Sequence, residues 1–366
     1  MPSIVSVSSY HPPHTLRQEE TMEFARELFA ESYKDIERLL TVFSNGDIKQ
    51  RHFAVPLDWF QEEHSLEERN DLYIKLATEY SVKAIEKCLQ NPSFLSREIK
   101  ASEVDAIICV SSSGMATPSL DARIMNQLPF LPQTKRVPIW GLGCAGGAAG
   151  LSRAYDYCLA YPKATVLVVC VELCGLTFQR SDQSKSNLIG TSLFADGVAA
   201  ALICGTEANV KQASARTVHP TIHSTQSTLM PDSEEVMGWD VKDNGLHVVF
   251  SRSIPSIVKD WLKPNVETFL ENEGRTLEEI SAFVAHPGGK KVLQAYEKAL
   301  GFSEEMTAVS RKVLEEHGNM SSPTVLYVLE KFMQQERMLG EYGLVAALGP
   351  GFCSELLLVE WAGDVH

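Results

Sequence analysis

Two early stretches, ETMEFARELFAESYKDIERLL (20–40) and LEERNDLYIKLATEYSVKAIEKCLQ (66–90), carry apolar residues at three- and four-residue spacing. That is the helix period, so each predicts a helix with one buried face. Beyond residue 104 the texture changes to short runs that are apolar throughout: VDAIICVSSS (104–113), ATVLVVCVEL (164–173) and GVAAALICG (197–205). Strands without a polar face belong in the middle of a layered sheet. The theme then recurs, with a helix over 257–274, a strand over 279–287, helices over 290–302 and 322–336, and closing strands GLVAALGPG and SELLLVEW. The most polar, Gly/Pro-dotted stretch, 206–245, reads as a crossover between two halves, 1–212 and 213–366, with the boundary near 212.

Composition narrows the function classes. With 366 residues, 44% of them hydrophobic, the chain can bury a large core. A net charge of -14 repels polyanions, so neither nucleic acid nor an anionic membrane is an expected partner, while an anionic cofactor could still dock in a local basic pocket. The eight cysteines form no CxxC pair and sit mostly in apolar runs, as reduced thiols of a cytoplasmic protein do. No segment reaches the roughly 18 apolar residues of a membrane span, and the N-terminus lacks a basic region followed by an apolar run. Membrane insertion and secretion are therefore not expected.

Three turn sites carry residue types suited to acyl transfer. In VPIWGLGCAGGAAGLSRAYDYCLAY (137–161), a short strand runs through glycines into Cys144 and then into a helical pattern. A helix N-terminus favours a thiolate, and glycines let a substrate carbonyl approach the backbone; a buried structural cysteine at a tight turn is the alternative. In VAHPGGKK, His286 ends an apolar strand and can act as a base or simply satisfy a strand end. In EEHGNMSSPTVLYVLE, Asn319 occupies a Gly-containing turn before a helix whose start is marked by Ser321, Ser322 and Pro323. A thiolate, an imidazole and an amide donor together are what thioester acyl transfer requires.

The blocks GCAGGAAGL, SLFADGVAAALICG, HPGGKKVL, GNMSSPTVLYVLE and LGPGFCSELLL resemble, in order and spacing, the signatures of type III polyketide synthases, the chalcone and stilbene synthase family. The resemblance covers essentially the whole chain. It implies an α/β, five-layered αβαβα thiolase-like fold of two similar halves, a homodimer, and a cavity reached by coenzyme A thioesters, with no metal or other cofactor. It also implies that Cys144 is the nucleophile and that His286 and Asn319 are the base and oxyanion donors, with Cys144 held as a thiolate in an ion pair with protonated His286.

By the same resemblance Phe194 is a gatekeeper phenylalanine. The second gatekeeper position falls on Val248, whose smaller side chain is expected to open the junction of tunnel and cavity. Cys174, Thr177 and Leu348 fall on cavity positions, Ser321 joins that set, and Thr117 falls where a partner subunit's residue enters the cavity. Lys49 and Arg51, in NGDIKQRH, fall in the segment that contacts coenzyme A phosphates. The implied reaction joins an acyl-CoA starter, expected to be a long-chain fatty acyl-CoA, to malonyl-CoA, giving tri- or tetraketide alkylpyrones or alkylresorcinols. The rivals are a ketoacyl synthase III, a 3-hydroxy-3-methylglutaryl-CoA synthase, and a catalytically silent acyl-CoA-binding subunit.

Overall fold

The computed structural model describes residues 1–251 and 253–363. In the first half, strand Ser3–Tyr10 runs antiparallel to Asp196–Cys204, which runs antiparallel to Thr165–Leu173. Ala106–Val110 then pairs parallel to Thr165–Leu173, and Lys135–Ile139 pairs parallel to Ala106–Val110. The second half repeats the pattern: Val218–Leu229, Cys353–Gly363 and Tyr342–Gly349 are successively antiparallel, and Ile280–Ala285 is parallel to the last. The halves join into one nine-stranded sheet through a single residue pair, Ser3 and Thr221, whose hydroxyls also hydrogen-bond at 3.1 Å.

The all-apolar runs form the inner strands as expected, and every residue of Thr165–Leu173 and Asp196–Cys204 is buried. Helix Gly146–Ala160 packs against strands of both halves and against helix Thr324–Gln334, forming a middle layer. Helix Leu66–Leu89 covers the outer face of the first half, and Glu304–His317 and Lys263–Asn272 pack on the second. The five-layered arrangement follows.

Three expectations need correction. The helical pattern at 20–40 divides into Gln18–Phe29 and Ile36–Ser44, which fold onto each other around Ala25, Phe29, Leu40 and Phe43. The pattern at 257–274 passes through a wide π turn at Val258–Leu262 before Lys263–Asn272, because Pro264 has no N–H to give the preceding turn. The stretch 206–245 is more than a crossover, since it contains the twelve-residue strand Val218–Leu229 and the first arm of a hairpin formed by Met237–Lys242 and Gly245–Phe250. Strand Ser3–Tyr10 and helix Glu304–His317 were not expected at all.

The middle layer depends on a close approach that only glycine allows. A Cβ on Gly147 would lie 2.3 Å from the carbonyl oxygen of Ser322 and 2.6 Å from Val325. Gly147→Ala should therefore cost roughly 1–3 kcal/mol of overpacking, read as a lower urea midpoint at unchanged slope. An unchanged midpoint would show that the layer can move apart.

Candidate active site

Cys144 lies in the turn between strand Lys135–Ile139 and helix Gly146–Ala160. Gly143 holds φ at +46°, a conformation suited to glycine, and the Ser112 hydroxyl accepts hydrogen bonds from the N–H groups of Gly141 and Gly143 at 3.1 and 3.2 Å. The cysteine is buried directly before the helix N-terminus.

His286 follows strand Ile280–Ala285, its N–H donating to the carbonyl of Ala346 at 2.8 Å. Asn319 is fixed through its backbone: its N–H donates to Leu193 at 3.0 Å, and its carbonyl accepts from Ala195 at 2.9 Å. Its amide donates to the carbonyl of Gly288 at 3.3 Å and lies 3.9 Å from the Cys144 sulfur. Ser321 holds a left-handed φ of +60°, a strained state costing about 1–3 kcal/mol. Its N–H donates to Asn319 Oδ1 at 2.8 Å, and its side chain hydrogen-bonds the thiol. Cys144, His286, Asn319 and Leu348 line one buried cavity of about 20 Å³, with Met237, Phe250, Tyr296 and Phe352 among the rest of its wall.

Burial works against the expected thiolate–imidazolium pair in this arrangement. Burial pushes the Cys144 thiol up to about 11, against the hydrogen bonds from Ser321 and Asn319. Burial also pulls His286 down to about 3, and neither ring nitrogen has a partner among the described residues. Desolvation opposes the helix N-terminus and favours a neutral thiol and a neutral imidazole at rest.

A second cavity, of about 60 Å³, is lined by Phe194, Val248, Cys174, Thr177 and Arg51, with an apolar wall that includes Leu16, Phe24, Phe53, Phe60 and Phe178. Here two expectations fail. Val248 does not open the junction. Trp239 stands directly opposite it in the hairpin, and the rings of Phe250 and Trp239 lie 5.8 and 6.1 Å from that of Phe194. The aromatic volume missing at 248 is supplied two residues later on the same strand face and across the strand pair.

Arg51 does not face coenzyme A. It is 1% exposed and donates to the carbonyls of Thr191 and Phe194, both at 2.7 Å, and to the Thr21 hydroxyl at 2.8 Å. Burial lowers its guanidinium to about 9, opposed by the charge of Asp196. It thus acts as an internal clamp on the segment that fixes Asn319.

Lys49 is exposed and paired with Glu315, and Thr117 is also exposed; neither touches either cavity. The sequence reading missed Trp239, Phe250 and Tyr296. It also missed Glu172, which accepts from the Ser112 N–H at 3.0 Å and the Ser322 hydroxyl at 2.9 Å. Only Phe250 carried a signal, its period-two relation to Val248.

Removing the imidazole tests the coupling across the first cavity. Because burial favours a neutral imidazole beside a thiol held near 11, His286→Gln should leave the pH midpoint of Cys144 alkylation by iodoacetamide unmoved. A midpoint raised by ~1 pH unit or more would show instead that a protonated His286 holds the thiolate.

Comparison with known proteins agrees with this geometry. Residues 3–208 and 221–362 match the models for the N-terminal and C-terminal domains of chalcone and stilbene synthases. The chain is 52% identical to the putative chalcone synthase of Bacillus subtilis (strain 168), over 99% of each. It is 29% identical to the alpha-pyrone synthesis polyketide synthase-like Pks18 of Mycobacterium tuberculosis, over 95% of this chain and 88% of that one. The crystal structure of 1,3,6,8-tetrahydroxynaphthalene synthase from Streptomyces coelicolor A3(2), a bacterial type III polyketide synthase, superposes with a TM-score of 0.89 at 29% identity, covering 99% of this chain and 100% of that one. With both halves matched and the fold shared, the chain belongs to the chalcone and stilbene synthase family, the type III polyketide synthases, and has their thiolase-like architecture.

Proposed function

We propose that this enzyme loads a fatty acyl group from coenzyme A onto Cys144 and extends it by decarboxylative condensation with malonyl-CoA, releasing tri- or tetraketide alkylpyrones or alkylresorcinols. The observation that carries the reading is the meeting of Cys144, His286 and Asn319, from three turns of two half-folds, on one buried cavity beside a second, apolar one. The membership of the family and the alpha-pyrone activity named for the mycobacterial relative support it.

In this mechanism His286 takes the proton of Cys144 as the sulfur attacks the starter thioester, and coenzyme A leaves as the thiol. Malonyl-CoA then loses carbon dioxide; the electron pair of the broken C–C bond passes to the thioester oxygen, where His286 and Asn319 donate to the enolate. Each such donor contributes on the order of 3 kcal/mol. The enolate carbon attacks the acyl-enzyme, Cys144 departs, and the lengthened chain returns to it for the next round. Exclusion of water by the buried site protects the reactive polyketone.

The alkyl chain of the starter occupies the apolar cavity, where each buried methylene adds about 0.8 kcal/mol. Because that cavity is only about 60 Å³ at rest, a long chain enters by displacing the Phe194, Trp239 and Phe250 rings that close its inner end. Lys49, exposed beside Glu315, is the proposed phosphate contact for coenzyme A. Thr117 lies in an exposed segment with Met115 and Trp140, 39% and 54% exposed, which we assign to the face of a homodimer. No described helix is long and apolar enough to cross a membrane, and a cytoplasmic location is proposed.

The deciding experiment is mass spectrometry of products from purified enzyme given malonyl-CoA and a ladder of acyl-CoA starters, with Cys144→Ala as control. Alkylpyrones or resorcinols whose mass tracks the starter, absent from the control, are expected. A single-step β-ketoacyl product made only with an acyl carrier protein would overturn the reading. Phe250→Ala and Trp239→Ala should shift the preferred starter to longer chains by two or more carbons; an unmoved preference would show that these rings do not set chain length.

A further inference from the structure

Tyr296, on helix Lys290–Leu300, lines the same cavity as Cys144, His286 and Asn319. Its ring is fully buried and packs edge-on to Phe283 at 5.5 Å, while its hydroxyl is buried and has no hydrogen-bond partner among the described residues. An unmade hydrogen bond of this kind costs about 1–3 kcal/mol, and a phenylalanine would pack the same space without that cost. Burial keeps the phenol protonated, so it can donate.

The rest of this cavity wall is apolar, from Met237, Phe250, Ile254, Val292, Leu348 and Phe352. Its other unpartnered polar atoms are the two ring nitrogens of His286. Tyr296 makes no hydrogen bond to Cys144, His286 or Asn319, although it lines the cavity they share, so its hydroxyl is left for a group that enters that cavity. An acyl-enzyme has one oxygen, which His286 and Asn319 serve. A β-ketoacyl-enzyme has a second oxygen two carbons on.

We propose that the Tyr296 hydroxyl is a substrate-binding donor for the β-keto oxygen of the extended chain on Cys144, and so acts from the second extension onward. The inference rests on the condensing activity proposed above. It makes Tyr296 a determinant of how many malonyl units are added, separate from the rings that set starter length.

The test is Tyr296→Phe, which removes one oxygen from a packed ring. Simple acyl-CoA starters should undergo the first condensation within about twofold of wild type. Turnover of β-ketoacyl N-acetylcysteamine thioesters, which enter at the second extension, should fall about tenfold in kcat/KM, the effect of one hydrogen bond of ~1.4 kcal/mol. Short diketide products should rise at the expense of tri- and tetraketides. An unchanged product ratio, or an equal loss in the first condensation and with the β-ketoacyl thioester, would overturn the assignment. Should wild-type enzyme itself make no product from malonyl-CoA, the condensing activity fails rather than the role of Tyr296.

Discussion

Cys144 comes from one half of the chain and His286 and Asn319 from the other, so the site exists only while the halves are held in fixed register. Glu172 carries much of that constraint. It sits fully buried at the end of strand Thr165–Leu173 and accepts from the Ser112 N–H, while the Ser112 hydroxyl holds the glycine turn before Cys144. Its other partner, the Ser322 hydroxyl, belongs to the loop that carries Asn319. Burial raises this carboxyl to about 7 against those hydrogen bonds, so it is an expensive tie to keep. Around it the glycines at 146 and 147 let the middle helix approach Ser322 closely enough for the tie to close.

A second frame fixes Asn319 from behind. Residues Leu193 and Ala195 bracket it through two backbone hydrogen bonds, and Arg51 grips the carbonyl of Phe194 between them. The aliphatic stem of Arg51 fills the space where a Cβ at position 318 would fall, 2.7 Å from its Cγ. The Phe194 ring and the Asn319 amide therefore belong to one rigid unit. Beside it, desolvation favours the neutral forms of both the thiol and the imidazole, and the two ring nitrogens stay open to hydrogen bonds with a group that enters the cavity.

Much of this was legible in the chain. Runs apolar on both faces located the inner strands and the 3.6-residue period the long surface helix, and the turns bearing Cys144, His286 and Asn319 were visible as glycines beside reactive types. Less legible were features that depend on partners distant in sequence. Arg51 reads as one of two surface cations in a polar run, yet its three acceptors lie 140, 143 and 30 residues away. Strand Val218–Leu229 reads as a connection because its text is Thr, Ser, His and Gln. What makes it a strand is pairing along its whole length with Cys353–Gly363, which no local pattern reveals.

The junction of the two cavities shows why a single position misleads. Valine at 248 removes ring volume, and taken alone it implies a wider passage. In a packed interior, volume is a property of the set of side chains that share the space. Position 250 points to the same face of its strand as 248, and position 239 faces 248 across the hairpin, so either can fill the gap. Here both do, with Phe250 and Trp239 closing on Phe194. The junction is thus closed by three rings on two elements, whose positions are set by Arg51 and by the hairpin register. A change in substrate range can arise at any of them without touching Cys144, His286 or Asn319.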